Sequence, residues 1–262
     1  MEISSQKQLR EHGQPDFCYL CGEPLANGLP TDRDHCPPKG FFSPADRENY
    51  PIILRTHKPC NHLWHGADEL VGIVADALHT RRKSFDTSFK KKLDATLVPF
   101  GQALAAAVTN LPLAPAAARI VRGMHALLYN DFLPQRTQSK FHIPLPEADP
   151  QTGRMVQPLD QTYAFSSTVR RAILTGTADE VRAYNGSFRY ACTWDRLDSG
   201  TPICLVVFNI YAFHTLAPKV SNFPKCFVGM YIPRQAPVTA SWVSPLKVEL
   251  KRGEVLDPLQ RT

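Results

Sequence analysis

Long apolar runs are missing from this sequence. Nothing in it approaches the roughly eighteen consecutive apolar residues of a membrane-spanning helix. The opening residues, MEISSQKQLREH, lack the apolar centre of a secretory signal, so no membrane partner is expected and the expected location is the cytoplasm, where thiols stay reduced. The seven cysteines are an odd number, which excludes a complete disulfide framework and makes metal binding the reading for any close pair. There is no internal repeat, which excludes solenoids and propellers. The 14 glycines are ordinary for 262 residues, and the 23 prolines stand between structured runs, as connectors do, instead of forming one low-complexity tract.

What is present is enough apolar material for a real core, 43% hydrophobic against 21% charged residues, in a length that suits one large domain or two modest ones. A net charge of +6 favours a polyanionic partner. The pattern along the chain predicts an α+β protein. Residues 14–80 form a small metal-stapled module, 81–135 a basic helical segment, and 136–262 a Pro-rich connector followed by an antiparallel β-rich region. Residues 1–12 read as a short polar helix or arm. Leu63, Leu70, Val74 and Leu78 recur at helical spacing and predict one helix from about Asn61 to His79. Further helices are expected over Lys91–Val108, with a break at Pro99, and over Ala114–Tyr129, with Pro115 in its first turn. Strands are expected over Phe188–Trp194, Pro202–Thr215 and Cys226–Pro233, the first two joined by the turn DRLDSGT at 195–201 into an antiparallel hairpin.

The metal reading rests on two pairs with one spacing. Cys18-Tyr-Leu-Cys21 precedes Gly22 as a knuckle in which two thiolates hold an ion, and His57-Lys-Pro-Cys60 supplies two more ligands further on. Together they make a closed Cys3His set suited to a structural zinc. Cys36, directly after His35 in a strand-like run, is a rival ligand but reads better as an ordinary buried thiol.

Between the two pairs lies Asp34-His35-Cys-Pro-Pro-Lys39, and after them Cys60-Asn61-His62-Leu-Trp-His65. Phosphodiester hydrolysis needs a base to activate water and a cation to neutralise charge on the phosphate and leaving oxygen. A histidine is a base at neutral pH. Asn61 and His65 are four apart at a helix start and so share one face, where they can join Asp34 around a metal.

The series C-x-x-C, D-H-x-x-P-K and C-N before a helix, spanning residues 17–66, resembles the zinc-bearing branch of the HNH (ββα-metal) endonucleases. That resemblance implies a two-stranded hairpin and a helix around one catalytic divalent cation, Mg²⁺ or Mn²⁺. It further implies His35 as general base, Asp34 and Asn61 as ligands of that cation, His65 as a third ligand, and Asn49 as the residue that orients the base. The implied products carry 5′-phosphate and 3′-hydroxyl ends. His57 stands where the family usually has cysteine, and His62 is an alternative ligand beside Asn61.

For grip on the substrate, Lys39 sits beside the Asp34–His35 pair, and Arg81, Arg82, Lys83, Lys90, Lys91 and Lys92 read either as a backbone-tracking patch or as a solvated helix face. Phe188, Tyr190 and Trp194, at period two, serve as core or as a base-stacking strand, core being the commoner use. The expected activity is thus metal-dependent nucleic-acid hydrolysis, with DNA favoured over RNA. The alternatives are a non-catalytic zinc-finger-like module that binds nucleic acid or protein, and a metallohydrolase of another phosphoester.

Overall fold

The computed structural model describes residues 1–47, 51–79, 95–100, 103–108, 111–142, 147–148, 155–156, 161–210 and 227–242. Strand β1 (Glu2–Ile3) leads to helix α1 (Gln6–His12), whose N-cap Ser5 accepts a hydrogen bond from the Gln8 amide at 3.2 Å. An antiparallel hairpin of β2 (Thr31–His35) and β3 (Ile53–His57) pairs Asp34 with Leu54 and His35 with Ile53. Helices α2 (Lys58–His62) and α3 (His65–His79) follow. The single helix expected from Asn61 is therefore two, broken at Leu63–Trp64. Leu63, read as part of its apolar stripe, is 83% exposed.

A second hairpin, β4 (Ala95–Phe100) and β5 (Ala103–Val108), replaces the helix expected over Lys91–Val108. Pro99 cannot donate within a helix, and the β-branched Thr96 and Val98 run extended instead. Helix α4 (Leu113–Tyr129) forms as expected and ends at Asn130, which adopts the left-handed conformation (φ 48°) and returns its amide to the Ala126 carbonyl at 3.0 Å.

The remaining elements are β6 (Gln138–His142), the short pair β7 (Glu147–Ala148) and β8 (Met155–Val156), α5 (Gln161–Leu174), β9 (Asp179–Ala183), β10 (Phe188–Arg196), β11 (Pro202–Ile210) and β12 (Phe227–Ile232). The stretch expected as a Pro-rich connector, 134–160, thus holds three strands among the described residues, and helix α5 follows it. Gln138–His142 is a polar edge strand with little apolar alternation, which is why its sequence resembles a loop.

The main sheet has six strands in the order β1-β9-β10-β11-β12-β6. β1 lies parallel to β9 and the other pairings are antiparallel, including the expected β10–β11 hairpin. Both faces are covered. Tyr190, Cys192, Trp194, Cys204, Val206, Phe208 and Tyr231 pack with α4 and the N-terminal module in one core. Ala191, Ile203, Leu205, Val207 and Val228 pack under Val169, Ala172 and Ile173 of α5 in the other. A strand buried on both sides reads as a continuous apolar run, and β11 has that sequence. The aromatics of β10 are core: Phe188, Tyr190 and Trp194 are at most 1% exposed and offer bases no stacking surface. Among the described residues no helix is long and apolar enough to cross a membrane.

Helix α4 is the axis of this arrangement. Ala117, Ile120, Val121 and Met124 are buried along it. At Gly123 it meets the hairpin so closely that a Cβ would overlap Cys36 Sγ and lie 3.4 Å from a Leu54 methyl. An uncrowded mid-helix glycine gains about 1 kcal/mol on becoming alanine. Gly123→Ala is expected instead to lose roughly 1–3 kcal/mol in urea denaturation, as overpacked cores do. Adding Cys36→Ala to the same chain should recover part of that loss.

Candidate metal centre

Four side chains from three elements converge beneath the first hairpin. Cys18 and Cys21 flank a tight turn in which the amides of Cys21 and Gly22 donate to the Cys18 carbonyl at 3.2 and 2.7 Å. Gly22 has φ +86°, and a Cβ there would come within 2.7 Å of the Phe132 ring, so only glycine fits. His57 ends β3, Cys60 sits in α2, and the ligand atoms of Cys18, Cys21, His57 and Cys60 all lie within 4.8 Å of one another. The His57 backbone amide donates to Cys18 Sγ at 3.4 Å. Its ring Nε2 lies 3.2 Å from the Pro24 carbonyl and its Nδ1 3.4 Å from Cys21 Sγ. With the proton on Nε2 donated to that carbonyl, Nδ1 turns its lone pair toward the cysteines, the usual arrangement of a metal-binding imidazole.

This cluster fits zinc: three thiols and one imidazole form a closed tetrahedral donor set. Burial, together with the neighbouring Cys21 and Cys18, pushes the Cys60 thiol up to about 12, and burial raises Cys21 as well. Cys21 and Cys60 thus hold their protons more tightly until a dication makes the thiolates favourable. Cys36 is excluded from the set. It is 1% exposed beneath α4, its Sγ faces the Ile120 carbonyl at 3.9 Å, and burial pushes its thiol up to about 12.

A second constellation lies on the inner face of the hairpin. Asp34 is 4% exposed and Asn61 7%. The structure brings the two together, and a side chain absent from the sequence-based expectation stands between them. Arg119 Nη2 donates to Asp34 Oδ1 at 2.7 Å and to Asn61 Oδ1 at 3.2 Å. Its Nη1 pairs closely with Asp68 Oδ2, and its Nε donates to the Tyr19 hydroxyl at 3.3 Å. That hydroxyl donates in turn to Asp34 Oδ2 at 2.5 Å, and the Trp64 ring covers the guanidinium at 5.6 Å. Burial opposes the charge on Arg119, but Tyr19, Asp34 and Asp68 outweigh it and raise its pKa. Burial raises the Asp68 carboxyl, against the pull of Arg119.

The divalent cation implied by the resemblance does not fit this arrangement, because the oxygens it would need from Asp34 and Asn61 already accept from Arg119. His65, the expected third ligand, is exposed at the start of α3 with its ring 4.8 Å from that of His62. His35 is half-buried and, by strand alternation, on the face of β2 opposite Asp34. Lys39 is exposed in a short 3-10 turn, Lys39–Phe41. Asn49 and the basic residues Arg81, Arg82, Lys83, Lys90, Lys91 and Lys92 lie outside the described residues.

The outer face of the hairpin carries cations that the sequence reading passed over. Arg33 and Arg55 are paired directly across the strands, and with Arg10, Gln6 and Gln14 they line a groove of about 940 Å³. Ile53, the partner of His35, lines it too. Like charges set opposite each other destabilise a hairpin unless something anionic answers them. Arg10, Arg33 and Arg55 are all exposed; the one acid lining the groove is Asp32.

Set against known proteins, the chain matches no family model, no curated protein and no solved structure. The metal cluster is tested directly. Elemental analysis of purified protein should find one tightly held zinc, and Cys60→Ser or His57→Ala should lower that content. Strong chelation should lower the melting midpoint of the wild type. Acid should do the same, because protons compete with zinc for three thiolates and an imidazole. Protein purified without zinc and indifferent to chelators would remove the assignment.

Proposed function

We propose that this chain is a zinc-stapled, HNH-type phosphodiesterase acting on nucleic acid, on DNA more than RNA. One observation supports the reading: the Cys/His cluster, the β2–β3 hairpin and α2 bring Asp34 and Asn61 together through Arg119, with His35 the neighbour of Asp34 on β2.

His35 is the group that takes the proton from the attacking water. A neutral imidazole suits that step near pH 7. The negative charge of the phosphate needs cations on the same side. Arg33 lies two residues before His35 on the same face of β2, with Arg55 beside it, and guanidinium groups match phosphate oxygens in geometry as well as charge. The groove they form with Arg10 is the surface along which a phosphodiester backbone would run. Mg²⁺ or Mn²⁺, which the resemblance implies at Asp34, Asn61 and His65, enters no step here.

A second reading has its own support. Arg119 gives Asp34 and Asn61 a structural task, which is what a binding module without hydrolysis would need. One experiment separates the two: conversion of supercoiled plasmid, single-stranded DNA and RNA by the full chain, with and without Mg²⁺ or Mn²⁺. Wild type should cut, and His35→Ala should lose activity by at least about 10²-fold, the scale of a general base. Equal cutting by both would overturn the role of His35. No cutting by either, with binding retained, would favour the binding module.

The groove is tested separately. Arg33→Ala and Arg55→Ala should each weaken nucleic-acid binding about equally across sequences. Each should also reduce the slope of log affinity against log salt by about 1. An unchanged slope would remove the groove from the interface.

A further inference from the structure

We infer that Arg119 is the resident cation of the Asp34–Asn61–Asp68 centre, filling the position that a divalent ion holds in the resemblance, so that zinc is this module's metal and no second ion is held there. The inference corrects one component of the proposed function, the catalytic metal, and holds whether or not the chain cleaves.

The geometry supports it on three counts. First, the oxygens of Asp34 and Asn61 are taken. Asp34 Oδ1 accepts from Arg119, Asp34 Oδ2 from Tyr19, and Asn61 Oδ1 from the same Arg119 nitrogen that binds Asp34. Second, the site is closed. Mg²⁺ keeps several waters when it binds a protein, whereas Arg119 is 1% exposed and the ring of Trp64 lies over its guanidinium. Third, the arginine is anchored from behind. It projects from α4, whose Ile120 and Val121 are each 1% exposed, so the helix that carries the guanidinium is itself packed in place. To admit a metal ion, the site would have to leave that charge buried and unpaired.

The charge count makes the inference testable in reverse. Asp34 and Asp68 bring two carboxylates to one guanidinium, and Asp68 Oδ1 is buried without a hydrogen-bond partner. Removing the guanidinium would leave two carboxylates and an amide oxygen around a space of its size, a hard oxygen set of the kind divalent cations take.

The test is Mn²⁺ binding to the zinc-loaded full chain, followed by electron paramagnetic resonance and by melting midpoint. Wild type should show no Mn²⁺ site that depends on Asp34, and its midpoint should not respond to Mn²⁺. Arg119→Ala should gain such a site, with a midpoint that rises with Mn²⁺ concentration, and Asp34→Asn added to it should abolish the gain. Arg119→Lys, which keeps a cation, should show no site.

Stoichiometric Mn²⁺ binding by wild type that is lost in Asp34→Asn would overturn the inference, and this measurement needs no folded Arg119 variant. A folded Arg119→Ala chain with no affinity for Mn²⁺ would overturn it too. Neither readout depends on cleavage, so failure here is distinct from failure of the nuclease reading.

Discussion

A guanidinium that is 1% exposed needs acceptors and counter-charges in place of water, and around Arg119 these come from four segments of the N-terminal module. Tyr19 belongs to the Cys18–Cys21 turn, Asp34 to β2, Asn61 to α2 and Asp68 to α3, and each bonds to this one side chain of α4. Such a pair is not a large net source of stability, because stripping water from two charges offsets most of their attraction. Breaking it is another matter. Removing one partner of a buried pair costs about 3–5 kcal/mol, against a total stability of about 5–15 kcal/mol for a typical domain. The arginine therefore fixes how the module sits on the helix more than it adds to overall stability.

The same helix carries the constraint onward. Arg122 donates to the backbone carbonyls of Leu20 and Leu133, binding the knuckle a second time, and burial lowers its pKa. Further along, His125 lies 2.8 Å from the Tyr231 hydroxyl, and the Tyr129 hydroxyl donates to Asp179 at 2.7 Å while accepting from the Trp194 indole at 2.9 Å. Arg119, Arg122, His125 and Tyr129 thus form a polar stripe down a buried helix. Its first half is bonded to the N-terminal module and its second half to the six-stranded sheet. An apolar helix could pack between the two; the polar groups fix its rotation and height, since each has a particular partner to meet.

The parts legible in the sequence were those with a fixed local spacing. The two ligand pairs, the β10–β11 hairpin and α4 follow from motifs or periodicity that need no knowledge of the rest of the chain. The β4–β5 hairpin was misread because the alanine-rich stretch 103–107 has helical propensity, while the Pro99 break and the cross-strand pairing argue the other way. Gln138–His142 shows little apolar alternation because it is an edge strand, whereas Gln161–Leu174 does carry Phe165, Val169, Ala172 and Ile173 at helical spacing, masked by the Ser and Thr residues between them. Arg119 is the instructive omission. Its signal was present, an arginine among Ala117, Ile120 and Val121 in a helix read as core, and a cation on an apolar face implies buried acids elsewhere. Nothing in sequence order names those acids, however, because Asp34 and Asp68 lie 85 and 51 residues away from it.

The period of a strand then divides the Asp34–His35 pair. Adjacent residues face opposite ways, so Asp34 looks inward to Arg119 while His35 and Arg33 look outward toward the arginine groove. Read as a motif, the two residues are one catalytic unit. Read as strand neighbours, they serve different purposes: the inner face is closed, compensated and held by α4, and the outer face carries the exposed Arg33 and Arg55, with Asp32 the one acid lining their groove. On the proposed function, a phosphate would be met at the outer face, with the inner centre supporting the strand that carries His35 and Arg33. The Cys/His cluster acts on the same hairpin from its far end, through His57, the partner of Thr31. The hairpin is thereby held at one end by that cluster and along its inner side by a guanidinium.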